Sequence, residues 1–121
     1  ILCISNTMPA MAIDVESRKP RLSNTTGGLS GPAIHPIAVR LIHLVYKDVA
    51  KPAGIPIIGL GGVLRWQHAA EFILAGATAV GMGTALFVDP RSPIKVASGL
   101  AAWANRQGTA SITELVGTMR I

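Results

Sequence analysis

A single cysteine, Cys3, among 121 residues excludes an internal disulfide and leaves no cysteine cluster for a metal. The three histidines, His35, His43 and His68, share no HxxxH or HxH spacing, so no metal site is expected. Aromatic residues make up only 4% and charged residues 14%, while half of the chain is hydrophobic. Such a core must be built from Ala, Val, Ile and Leu, as in α/β proteins with buried parallel strands. Apolar runs stop short of the roughly 18 residues that a membrane span needs. The opening ILCISNTMP also lacks the basic start of a signal peptide. Acidic residues are few, 6 against 11 Lys and Arg, for a net charge of +5. That excess would suit nucleic acid, but the basic residues stand singly outside SRKPR at 17–21, with no aromatics between them. Acid elsewhere in a longer chain, or a phosphorylated ligand, explains the charge better. The first residue, Ile1, falls inside an apparent strand, so the chain reads as a piece of a longer protein.

What is present is an alternation of short apolar runs and amphipathic segments. ILCIS at 1–5 has strand length, and the polar stretch from about 10 to 24 reads as a β-hairpin insertion. After the glycine-rich NTTGGLSGPAIHP at 24–36, apolar residues recur at Ile34, Ile37, Ala38, Leu41, Val45 and Val49, which predicts a helix over 32–50. KPAG at 51–54 is expected to break it. IPIIGL at 55–60 reads as a buried strand, WQHAAEFILAGA as a helix with Gly76 just past its end, and TAVGM at 78–82 as another buried strand. PIKVASGLAAWANRQG forms a last long helix, followed by Ser111 and Glu114 at capping-box spacing. This order predicts an α/β fold of about three βα units, either part of a TIM barrel or one half of a doubly wound sheet. GLGGV has the wrong spacing for a GxGxxG dinucleotide fingerprint. Three strands cannot close a barrel, so this piece by itself is expected to expose its edges and to aggregate or oligomerise.

Ligands of parallel α/β proteins lie at the carboxyl ends of the strands. The first strand ends in Ser5, Asn6 and Thr7, the second in Gly59, Gly61 and Gly62, and the third in Gly81, Gly83 and Thr84. Glycine lets backbone N–H groups approach an anion with no Cβ in the way. GLGG and GMGT on successive strands therefore read as a two-loop phosphate grip; the plainer alternative is that they only allow tight turns. Asn6 can donate and accept, which suits a planar polar substrate, although an Asx or ST turn would use the same residues. His35, one residue before Pro36, reads as structural or on the surface, Cys3 as an inert buried thiol, and Asp14, Glu16 and Asp48 as solvated charges. No residue here makes a convincing catalytic nucleophile or base.

ISNT at 4–7, NTTGGLSGPAIHPIAVRLIH at 24–43, IPIIGLGGV at 55–63 and AAEFILAGATAVGMGTALFVDP at 69–90 together resemble dihydroorotate dehydrogenase. The resemblance is to the soluble class 1 enzymes and, within them, the NAD-linked class 1B form. It spans nearly the whole chain and implies strands six to eight of a TIM barrel with FMN at its C-terminal face. It also implies that Ser5, Gly31, Gly61, Gly62, Gly83 and Thr84 contact FMN, the last four at its phosphate, and that Asn6 and Thr7 contact the substrate. The implied reaction is oxidation of (S)-dihydroorotate to orotate in pyrimidine biosynthesis. A base takes the C5 proton while hydride leaves C6 for the flavin. Further implications are a cytoplasmic homodimer and a partner subunit carrying FAD and an iron–sulfur cluster, with no membrane or nucleic-acid partner.

Two departures stand out. Where the family usually reads GPAIKP, this chain has His35 in place of lysine. The family's catalytic cysteine base and the lysines near FMN belong to the earlier strands, so no catalytic residue is expected in this piece, and Cys3 does not match that cysteine. The nearest enzymatic alternative is another FMN barrel acting on pyrimidines, of the dihydropyrimidine dehydrogenase type. A non-catalytic partial barrel that binds a phosphorylated ligand is the other.

Overall fold

The computed structural model describes residues 1–120. In chain order its elements are β1 (Leu2–Ile4), β2 (Met8–Ala10), β3 (Ile13–Asp14), β4 (Lys19–Pro20), β5 (Gly27–Leu29), α1 (His35–Val45), α2 (Lys51–Ala53), β6 (Ile57–Leu60), α3 (Trp66–Ala75), β7 (Ala79–Gly81), α4 (Ala85–Val88) and α5 (Ser92–Arg106). β1, β6 and β7 form one parallel sheet in that order, with Ile4 opposite Gly59 and Gly59 opposite Val80. Because strand side chains alternate, that register aligns Leu2 with Ile57 on one face and Cys3 with Ile58 and Ala79 on the other.

All the packing lies on the first face. Ala38 and Ile42 of α1, Phe72 and Ala75 of α3, and Val96 of α5 join Ile57 in one core, with Leu2, Ile4 and Val80 against it. Gly59 explains how two helices reach one strand: a Cβ there would lie 2.8 Å from Phe72 Cδ2 and 2.9 Å from Ile42 Cδ1. The strand glycine is thus a packing device. A doubly wound sheet would carry helices on both faces; here α1, α3 and α5 share one layer, as in an arc of a TIM barrel.

The bare second face corrects two expectations. Cys3 is exposed, not a buried thiol, because it points away from the helices. β7 is likewise not buried: Ala79 is exposed and Val80 and Gly81 are half-buried, since β7 is also an edge strand. Phe87 and Val88, 93% and 81% exposed, extend the uncovered apolar surface at α4.

The expected helix over 32–50 is longer and more varied than its periodicity shows. A 3-10 turn at Pro32–Ile34 leads into α1, and a wide π turn at Tyr46–Ala50 joins α1 to α2. KPAG does not break the helix at Lys51; α2 runs to Ala53 and stops at Gly54. Pro52 has no N–H to return to an earlier carbonyl, and the turn widens directly before it. The buried stripe is also rotated from the expected one. Ile34, Ala38 and Ile42 are buried, whereas Ile37 and Val49 are about half exposed, at 46% and 50%. In so apolar a segment, spacings of three and four fit more than one stripe, and the strand beneath selects the i, i+4 row.

The polar segment after β1 leaves the sheet. β2 pairs antiparallel with β5, Met8 opposite Leu29, and β3 pairs with β4 in a short hairpin. Asp14 ties that hairpin, its carboxylate accepting from Ser17 N at 2.8 Å and Ser17 Oγ at 2.9 Å; these bonds lower its pKa. Near the chain's end Ser111 and Glu114 form a capping box on a 3-10 turn. No helix among the described residues is long and apolar enough to cross a membrane.

Candidate functional site

The carboxyl ends of the three parallel strands surround one cleft of about 190 Å³. β1 contributes Ser5, Asn6 and Thr7, the loop before α1 Ser30 and Gly31, β6 Gly61 and Gly62, and β7 Gly83 and Thr84. All eight residues singled out by the sequence for cofactor or substrate thus face one space. Gly59 does not line it, and Gly81 does. The volume is below the roughly 300–1,000 Å³ of complete small-molecule sites. It is the size of part of a site.

The cleft combines the polar side chains of Ser5, Asn6, Thr7, Ser30 and Thr84 with main-chain donors. Among the described residues, the N–H groups of Gly62, Gly83 and Thr84 donate no backbone hydrogen bond. Those donors line a cleft wall free of carboxylates, an arrangement suited to an anion. Asn6 Oδ1 accepts from Thr7 N at 2.8 Å, a local turn, so its amino group is the end left for a ligand. Thr84 Oγ1 donates to Ser30 Oγ at 2.9 Å, linking the β7 turn to the loop before α1.

Gly31 and Gly62 are where glycine is required. Their φ values are 82° and 67°, and a Cβ on Gly62 would lie 2.5 Å from the Gly31 carbonyl oxygen. The two loops pack backbone to backbone, which fixes the β6 side of the cleft.

Behind that side sits a group whose role is not apparent from sequence. His35 is 6% exposed; its Nδ1 is 2.9 Å from the Gly61 carbonyl oxygen and its Nε2 2.6 Å from Glu71 Oε2. A carbonyl only accepts, so Nδ1 carries a proton and the Nε2–Oε2 contact shares another. His35 is therefore structural rather than on the surface. Its ring lies between His68, centroid 4.5 Å away, and Phe72, 4.8 Å away. His68 has its pKa lowered, first by burial and then by the charges of His35 and Arg65. Leu64 N and Arg65 Nε both point at its ring nitrogens, 3.3 and 3.1 Å away; a neutral imidazole can accept only one of these bonds at a time. Glu71 escapes a sequence reading because it is a lone acid in an apolar helix. The available signal is its i, i+3 spacing from His68 on α3.

The chain matches the family described as dihydroorotate dehydrogenase over residues 1–103. It is 48% identical over 120 residues to the "Dihydroorotate dehydrogenase B (NAD(+)), catalytic subunit" of Caldicellulosiruptor bescii, covering 99% of this chain and 39% of that protein. Against the protein of the same description from Parabacteroides distasonis the identity is 52% over 116 residues, 96% of this chain and 37% of that one. A crystal structure of DHODH from Eimeria tenella in complex with ferulenol superposes with a TM-score of 0.78 at 26% identity, over 97% of this chain and 30% of that one. The chain thus spans less than half the length of each of these relatives. Match, identity and superposed barrel arc agree: the chain belongs to the dihydroorotate dehydrogenase family.

Proposed function

We propose that this chain forms the phosphate-binding end, and part of the substrate-binding wall, of an FMN-dependent enzyme that oxidises (S)-dihydroorotate to orotate in pyrimidine biosynthesis. The observation that carries this reading is one cleft lined by Gly62, Gly83 and Thr84, whose N–H groups donate no backbone hydrogen bond among the described residues, together with Asn6 and Thr7. Three main-chain donors with no acid among them suit a phosphate, and they fit the phosphate end of FMN. Gly61, Gly62, Gly83 and Thr84 would hold that phosphate. Ser5 and Gly31 would bring backbone to the flavin, and Asn6 and Thr7 would orient the pyrimidine. When bound, FMN supplies the two-electron acceptor. The residues of this chain bind and orient; the base that takes the substrate proton belongs to the rest of the full-length enzyme.

The relatives' description as a catalytic subunit linked to NAD(+) supports a second subunit in the assembly. We assign to it the FAD and iron–sulfur cluster, place the enzyme in the cytoplasm and take its catalytic chain as a homodimer. Anaerobic titration of the purified full-length protein tests the reading. A yellow protein whose flavin absorbance bleaches with dihydroorotate, and not with dihydrouracil, is the expected result. A colourless protein indifferent to added FMN would overturn it, and bleaching by dihydrouracil alone would move the assignment to the dihydropyrimidine dehydrogenase type.

A further inference from the structure

We propose that His35 and Glu71 form a clamp that sets the Gly61–Gly62 turn for phosphate, making both positioning residues for the cofactor site. The inference rests on the phosphate reading above and adds to it what holds one half of the grip. His35 projects from the first turn of α1, Glu71 from the middle of α3, and Gly61 ends the strand between them. The imidazole spans all three elements through its two nitrogens, at 2.9 and 2.6 Å. It is held in its plane by Phe72 and His68. Its Nδ1–H donates to the Gly61 carbonyl, which directs the following peptide, and so the Gly62 N–H, into the cleft. Glu71 fixes the ring from outside; its carboxylate is about half exposed, at 52%, while the imidazole is 8% exposed. Neither residue lines the cleft, so their effect passes through the Gly61–Gly62 turn, which His35 meets at the Gly61 carbonyl and beside Gly62.

The clamp acts on a turn that the reading above assigns to the phosphate, so its loss should be felt by FMN and not by riboflavin, which has no phosphate. Both flavins are titrated into the full-length apoprotein, with quenching of flavin fluorescence as the readout. In Glu71→Ala the ring loses its outer partner, and in His35→Gln it is replaced by a group that cannot donate at both ends. Each variant should weaken FMN binding about tenfold, the scale of one charge-assisted hydrogen bond, and leave riboflavin binding unchanged. His35→Lys, whose ammonium can donate to both oxygens, and Glu71→Gln, which can donate to a neutral Nε2, should stay close to wild type. Should His35→Gln fail to fold, Glu71→Ala decides alone, since its side chain is half in solvent. Equal weakening of both flavins, or none in either variant, overturns the clamp. A wild-type protein that binds FMN and riboflavin equally well overturns the phosphate reading itself, a distinct outcome that removes the clamp with it.

Discussion

The turns after β6 and β7 occupy equivalent places, each with small residues at the mouth of a parallel strand, yet they are held very differently. Gly61–Gly62 is packed from below by Ala38, meets the backbone of Gly31, and is tied to α1 and α3 through His35 and Glu71. Gly83 has no atom within 4 Å of where a Cβ would lie, and Thr84 is anchored by one exposed hydroxyl pair with Ser30. One half of the proposed grip is preformed and the other is open. On the phosphate reading proposed above, the rigid wall would fix where an anion sits, and the open turn would leave room for it to enter. Within this stretch of chain β6 has a neighbour on each side and two helices above it, and β7 is paired on one side.

The contrast can be broken most forcefully at Gly62. Gly62→Ala puts a Cβ against the Gly31 carbonyl at a left-handed φ, and should cost about 2–4 kcal/mol of stability along with flavin affinity. Urea denaturation of the full-length protein measures it; a loss no larger than that of Gly83→Ala would mean the two turns are equally free. A middling effect is expected from pH. The folded chain disfavours protonation of His68, its pKa lowered chiefly by burial, while the unfolded chain takes up that proton near pH 6.5. Below that pH the unfolded state binds more protons, so stability at the β6 end falls as pH falls. Urea midpoints above and below about pH 6.5 should therefore converge in His68→Gln, and an unaltered slope would remove His68 from the explanation. The smallest effects belong to the β7 side. Thr84→Val should change stability by under about 1 kcal/mol, as for an exposed hydroxyl pair, and Gly83→Ala by under about 0.5 kcal/mol. Thermal melts of both check this, and a large drop in either would show the open turn to be braced after all.

The parts of the fold governed by local chemistry are legible in the sequence. The alternation of apolar runs with helical segments located β6, α3, β7 and α5, and the strand-end glycines with Asn6 and Thr7 pointed to the residues that line the cleft. Local sequence misleads where a residue's setting depends on distant chain. Cys3 sits in an apolar run, but which face it takes depends on helices that begin some thirty residues later. Ile42 and not Ile37 enters the core because β6 selects one row of a nearly uniform apolar helix. The clamp is the clearest case. His35 and Glu71 are 36 residues apart, on different helices, and nothing in either local sequence refers to the other.

The unequal grip is tested most directly by the crystal structure of the full-length protein with FMN. We expect phosphate oxygens within hydrogen-bonding distance of the N–H groups of Gly62, Gly83 and Thr84. The Gly61–Gly62 turn should stand as it does here, with Gly83–Thr84 drawn toward the ligand. A phosphate held away from these turns, or a β6 turn that shifts more than the β7 turn, would contradict it.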